Sequence, residues 1–339
     1  MTRVWIKITV LLVLAVPRIA TGQSGGQDER GIPFPNEHYA PPEYEHDPQN
    51  WDIVQDDRGL IYVANNDGVL QYDGERWRLI PTNTGTFVRS LAADSLVYVG
   101  VKGDFGYLRP DSLGRLRYTS LYEHIPKDER DFEDVWRTHV LSDGVYYQAN
   151  QRLFRWDGEK VTSWSSEEGF HTSFVVDGTL YVRDFERGLL RMRNGSLELV
   201  SGGEVFHEVP IYMMARHPSG NLIIGTQNRG LLLKDGETFR SFASELTPYL
   251  QENDLYHGCR LPGNRYALAT MGGGVIIIDG EGQVVRMLDN SSGLPDPYVN
   301  HVYADREGQL WMALNNKGVF RVGLNAPLTV HDERTGLDG

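Results

Sequence analysis

The sequence predicts an all-β fold, a seven-bladed β-propeller of four-stranded antiparallel blades. Three observations predict it. A phrase of strand, tight turn, strand, Gly-containing loop and strand recurs along the chain. Its copies are spaced by about 42 residues, the repeat of a propeller blade. Within each copy the apolar residues alternate with period two and Gly and Pro recur, which disfavours helical repeats; a β-solenoid, the rival, usually has shorter repeats.

Composition fits a loop-rich globular chain. Of 339 residues, 37 are Gly and 16 Pro, and 40% are hydrophobic, enough for a real core. The single Cys, Cys259, excludes an internal disulfide framework and a thiolate metal cluster, and reads as a buried small hydrophobe. A formal charge of −13 argues against nucleic-acid binding, which needs surplus Lys and Arg.

The chain opens on a secretory signal pattern over residues 1–22. Arg3 and Lys7 precede the apolar run Ile8–Val16, Pro17 breaks it, and Ala20-Thr21-Gly22 supplies small residues before Gln23. The run is too short to span a bilayer, and no Cys follows it to carry a lipid anchor. Losing Arg3, Lys7 and Arg18 with the leader takes the formal charge from −13 to −16. The mature product is expected to be exported and soluble, periplasmic or periplasm-facing. Residues 23–47 read as a lead segment, 48–332 as the propeller, and 333–339 as the start of a further repeat or a truncated linker.

The clearest repeat unit is the last. Val299–Asp305 forms a strand, Arg306-Glu307-Gly308 a turn, Gln309–Leu314 a strand, Asn315-Asn316-Lys317-Gly318 a loop and Val319–Val322 a third strand. The same phrase opens the propeller at Trp51–Asp56, Asp57-Arg58-Gly59, Leu60–Ala64, Asn65–Gly68 and Val69–Tyr72, and Arg76–Ile80 adds a fourth strand. Five weaker copies lie between. The residues opening the third strands are Gly68, Gly106, Arg152, Gly188, Gly230, Gly274 and Gly318. Tyr62, Tyr98, Tyr146, Tyr181 and Trp311 recur at one place in the second strand and read as blade-to-blade packing residues; a sugar-stacking array is the alternative. Leu328–Asp332 reads as the last strand of blade seven.

The pattern Asp-x-x-Gly-x-Leu-Trp followed by Asn-x-Gly-Val-x-Arg, with Ser292-Gly293-Leu294-Pro295 ahead of it, resembles the two-component regulator propeller repeat. Pro48–Asp56 and Asn65–Leu70 look like the first blade of that family. The resemblance covers about residues 48–339 and is clearest in blades one, five and seven. It implies the exported sensor region of a bacterial membrane signalling protein. A second propeller, a membrane helix and an output module would then follow. Glu333–Gly339 imitates the blade opener Ser291–Asp296, so the sequence reads as a fragment or a truncated sensor whose membrane contact would come only through a missing segment.

Catalytic chemistry is thin. There is no Gly-x-Ser-x-Gly elbow, no His-Glu-x-x-His and no phosphate loop. Asp56-Asp57 and Asn65–Gly68 lack the spaced ligands of a calcium loop and read as turn chemistry. Asp305-x-x-Gly308-x-x-Trp311 resembles the aspartate-box turn of sialidase propellers, which is structural there. No catalytic residue, metal or cofactor is therefore expected. His257 and His301 occupy equivalent places in blades six and seven. A similarity to streptogramin lyase propellers keeps an acid–base or metal role open for them, within the alternative of a secreted lyase or glycoside-active enzyme.

A ligand site is expected where the first strands and the loops of one face meet. Aligning the copies by their turns places Trp51, Arg89, Arg137, Thr172, Tyr212, Tyr256 and Asn300 around the channel mouth. Asn65, Asp67, Lys102, Asp104, Arg183, Asp184, Asn228, Arg229, Asn315 and Lys317 lie in the adjacent loops. Aromatic faces beside guanidinium and amide groups suit a small-molecule or oligosaccharide ligand; a water-filled polar channel is the plainer alternative.

Overall fold

The structure is a computed structural model and describes residues 32–34, 36–82, 85–324 and 328–330. The segments read as a signal peptide and as the start of a further repeat lie outside the described residues. Seven four-stranded antiparallel sheets follow one another around a ring. Their innermost strands are Asn50–Gln55, Val88–Ala93, Arg137–Leu141, Phe170–Val176, Ile211–Arg216, Leu255–Leu261 and Val299–Ala304.

In blades one to six, four consecutive strands run outward. Blade seven is completed differently. Its outermost strand is Asn36–Tyr39, from the lead segment, paired with Gly318–Gly323. Glu37 adds an ion pair to Arg321 at 2.8 Å, and the His38 ring nitrogen bonds the Lys317 carbonyl at 2.6 Å. This corrects the sequence assignment: Leu328–Val330 pairs with Ile32–Phe34 in a separate two-stranded ribbon and is not the last strand of blade seven. A four-residue strand carries too little alternation to be seen in sequence, yet it ties the first blade's neighbour to the chain start and closes the ring.

Between the blades lie seven apolar layers, each drawing one face from each of two consecutive sheets. One blade cannot bury both faces alone, so the stacking supplies the hydrophobic stabilisation. The repeated second-strand aromatics sit in these layers: Tyr62 between blades one and two, Tyr98 between two and three, Tyr146 between three and four, Tyr181 between four and five, and Trp311 between seven and one. They are packing residues, as the first of the two readings held.

Two local devices explain the repeat. The third strands of blades six and seven open on Gly274 and Gly318, with φ of 77° and 86°. A Cβ there would strike the carbonyl oxygens of Leu288 and Tyr39 in the adjacent outer strand. The aspartates are turn staples. The Asp56 carboxylate accepts from the Arg58 and Leu60 amides at 2.9 and 3.0 Å, and Asp305 accepts from the Gln309 amide at 2.8 Å and from Trp311 Nε1 at 2.7 Å.

Candidate channel-mouth site

The innermost strand of each blade starts at one face. The loops joining second to third strands, and each outer strand to the next blade, share that face. In six blades the register between first and second strand slips at the same place, between Asn50 and Asp52, Val88 and Ser90, Phe170 and Thr172, Ile211 and Met213, Leu255 and His257, and Val299 and His301. Such a bulge leaves one residue unpaired and re-aims its side chain. The bulged residues are Trp51, Arg89, His171, Tyr212, Tyr256 and Asn300. In blade three Trp136 takes the corresponding place, just before the paired Arg137, its amide bonded to the Gln148 carbonyl at 2.8 Å.

The ring at the mouth is therefore Trp51, Arg89, Trp136, His171, Tyr212, Tyr256 and Asn300. Five of the seven expected members stand in it. Arg137 and Thr172 stand one residue deeper, and Trp136 and His171 replace them. The physical reason is the hairpin between first and second strands. In blades three and four it has two residues, Ser142-Asp143 and Asp177-Gly178, against five in blade one, residues 56–60. A fixed count back from the turn therefore stops one residue short of the mouth position.

Two aromatic banks face each other. In the first, the Arg89 guanidinium lies 4.1 Å from the centre of Trp51 and 5.2 Å from Trp136, with Phe87 at 4.9 Å, and it is held by Asp134 at 3.0 Å. Trp51 and Trp136 belong to blades one and three, yet their rings are 6.2 Å apart, so they close over the channel edge. In the second, Tyr256 stacks on Tyr212 at 5.5 Å, Tyr212 meets His171 edge-on at 5.1 Å, and His171 meets Phe185 at 5.8 Å. Arg183 lies 4.5 Å under the Phe185 ring. Phe87, Phe185 and Tyr298 stand exposed on this face. Asn300 is turned inward, bonding the Asn50 carbonyl at 2.9 Å.

One layer deeper, Asp52, Ser90, Arg137, Thr172, Met213, His257 and His301 line the channel. Side chains here stitch blades together. Asp52 accepts from the Leu91 amide of blade two at 3.0 Å, His257 Nδ1 accepts from the Val302 amide of blade seven at 3.2 Å, and Ser90 reaches Thr138 of blade three at 2.8 Å. The His257 and His301 rings stack at 3.9 Å, and His301 Nε2 lies 3.2 Å from the Asp52 carboxyl. Burial pushes Asp52 up to about 7 against the pull of the Leu91 amide and Arg137. Burial, with Arg137 added, pushes His301 down to about 3. An ion pair would shift both groups the other way, so burial outweighs their mutual attraction and favours the neutral form of each. Burial and the neighbouring His301 hold His257 well below its ordinary value. Its ring borders the channel rather than bulk water.

The loop residues divide. Arg183 is buried beside the second bank, with Nε bonded to the Phe206 carbonyl at 2.8 Å and a second nitrogen to the His207 carbonyl. Asn65, Asp104 and Asp184 are buried in the blades and serve the fold. Asn65 bonds the Gln49 carbonyl, Asp104 caps its own strand at the Phe105 amide, and Asp184 holds Arg187. Asp67 is tied to the lead segment through the Asp47 amide, and Asn315 accepts from the Gln49 side chain just ahead of the first strand of blade one. Lys102, Asn228, Arg229 and Lys317 are exposed on the face. Among the described residues no group of three or more His, Cys, Asp and Glu is placed to hold a metal ion. A cleft of about 1050 Å³ between blades one and two opens at the opposite face, away from this ring.

No protein-family profile and no curated protein matches the sequence. Solved structures match its fold. The extracellular domains of the hybrid two component systems BT3049 and BT4673 from B. thetaiotaomicron superpose with TM-scores of 0.66 and 0.63, each at 18% identity over 85% and 86% of this chain. The chain spans 41% and 39% of those domains. Virginiamycin B lyase from Staphylococcus aureus superposes with a TM-score of 0.61 at 11% identity, over 85% of this chain and 99% of that one.

Proposed function

We propose that the chain is the ligand-binding propeller of an exported sensor in a bacterial two-component-type signalling protein, and that its ligand, a small molecule or oligosaccharide, seats in the channel mouth. A single observation carries the reading. Of ten buried side-chain polar atoms without a protein partner among the described residues, five lie at this mouth and the channel under it: an Arg89 terminal nitrogen, His171 Nδ1, Thr172 Oγ1, an Arg183 terminal nitrogen and His301 Nδ1. Buried polar atoms normally find partners. A cluster of unfilled ones beside flat aromatic faces is what a ligand with hydroxyls and ring faces would complete. The extracellular origin of the similar domains supports an exported setting, and no helix among the described residues is long and apolar enough to cross a membrane. In a larger protein, binding at the mouth would bias how this propeller meets a following domain, such as a second propeller, and so pass a signal. The role is binding without turnover.

The second reading, a secreted propeller lyase or glycoside-active enzyme, rests on the stacked His257–His301 pair beside Asp52 and on the shared fold with virginiamycin B lyase. Titration calorimetry against a broad oligosaccharide panel separates the two. The sensor reading expects a ligand that binds without being consumed, with Trp51→Ala and Tyr212→Ala each weakening it roughly tenfold or more. Turnover lost in His257→Ala and His301→Ala would favour the enzyme, and affinity unchanged by both mouth variants would refute the proposed site.

A further inference from the structure

We propose that Arg137 and Arg183 form an anion subsite in the upper channel that takes a carboxylate or sulfate group of the ligand. This rests on the mouth-binding reading and gives it a ligand class. Elsewhere in the chain, arginines near carboxylates are matched: Arg89 by Asp134 at 3.0 Å and Arg187 by Asp184 at 2.8 Å. These two are not. Among the described residues, the Arg137 guanidinium donates one hydrogen bond, to the Trp136 carbonyl at 3.2 Å. Arg183, 2% exposed, bonds two backbone carbonyls, and its remaining terminal nitrogen is buried without a partner. The adjacent Asp184 is turned to Arg187.

Both guanidiniums lie within electrostatic reach of one aromatic pair. His171 and Tyr212 lie edge to face at 5.1 Å, and each is electrostatically shifted by Arg137 and by Arg183. His171 Nδ1 and Thr172 Oγ1 are buried there without partners. Two guanidiniums with no hydrogen-bonded carboxylate among the described residues, with an imidazole and a hydroxyl near them, in a chain whose formal charge is −13, amount to an oxyanion cradle. Leaving such charge unmatched in a poorly solvated channel is costly, and an anion of the ligand relieves that cost. The nearby carboxyls, Asp52 for Arg137 and Asp184 for Arg183, act on these arginines through space without a hydrogen bond to either. Asp52 is engaged by the Leu91 and Ile53 amides and His301, and Asp254 lies exposed at the rim.

The test uses the whole chain and sodium sulfate, compared with sodium chloride at equal ionic strength, read by thermal unfolding. At roughly tenfold excess over a millimolar-range Kd, sulfate should raise the wild-type Tm by about 2–4 °C beyond chloride. Arg137→Gln should abolish that increment and Arg137→Lys should keep part of it. Arg137 makes one backbone contact in the fold, so its variants are the informative ones; Arg183 also braces the Phe206 and His207 carbonyls. No increment in wild type overturns the proposal. So does an equal increment in wild type and Arg137→Gln, which is general salting. A parallel titration with trigalacturonate and neutral galactotriose distinguishes the sources of failure. Neutral sugar bound through Trp51 and Tyr212, with no gain from the carboxylates and no sulfate increment, overturns the anion subsite and leaves the mouth reading standing. Trigalacturonate bound at least tenfold more tightly than galactotriose, with the difference erased in Arg137→Gln, supports the subsite as a carboxylate site.

Discussion

Replacing Asp52 by Asn should stabilise the protein in a pH-dependent way. Asp52 is 5% exposed, packed against His301 and bonded by two backbone amides. Its carboxyl is raised from 3.8 to about 7, so the folded chain holds that proton more tightly than the unfolded chain. Its stabilising contribution is fully present below 3.8 and is lost as pH rises toward 7. At 1.36 kcal/mol per pH unit, the part of that window between pH 5 and pH 8 is worth about 2–3 kcal/mol. Asn keeps an oxygen to accept from the Leu91 or Ile53 amide and adds an NH₂ that donates to His301 Nε2. The shape is retained and the titration removed. Urea denaturation at pH 5 and pH 8 gives the assay, with the slope checked for constancy. The variant's stability relative to wild type should rise by about 2–3 kcal/mol from pH 5 to pH 8. A difference that stays the same at both pH values would refute the argument that burial, rather than the His301 contact, governs Asp52.

The histidines act with the opposite sign. His139 and His171 are pushed down to about 4, chiefly by burial, so wild type should lose stability as pH falls from about 6.5 toward 4, and His139→Gln should flatten part of that acid limb in the same urea series. Trp311→Ala removes a fully buried ring that stacks on Tyr39 at 5.8 Å and bonds Asp305; denaturation should report a loss of about 3–5 kcal/mol. Gly318→Ala puts a methyl group against the Tyr39 carbonyl at a positive φ, and should lower Tm and loosen the Asn36–Tyr39 strand, seen as faster amide exchange there.

The fold was legible because its repeat is written in residues with one job each. Gly274 and Gly318 open third strands where no side chain fits, Asp56 and Asp305 staple turns, and Tyr62, Tyr146 and Trp311 fill the interblade layers. What escaped was set by geometry with little sequence trace. The closing strand Asn36–Tyr39 is four residues long and pairs with a strand some 280 positions away. Arg137 and Thr172 stand one residue deeper than the sequence suggests because blades three and four turn on two residues. An aromatic residue standing next to each expected member, Trp136 before Arg137 and His171 before Thr172, was the available signal. The loop carboxylates misled for a different reason: Asp104 and Asp184 look like face residues in sequence, but their turns fold them back onto the backbone.

The central claim is that the ligand sits at the channel mouth. Hydrogen–deuterium exchange of the whole chain, with and without an oligosaccharide identified by calorimetry, tests it most directly. Protection is predicted at residues 50–53, 87–91, 135–138, 170–173, 183–186, 211–214 and 255–258, the bulged starts of the innermost strands and the Phe185 loop. Protection confined to residues 56–60, 94–97 and 113–117, which border the cleft between blades one and two, would contradict it.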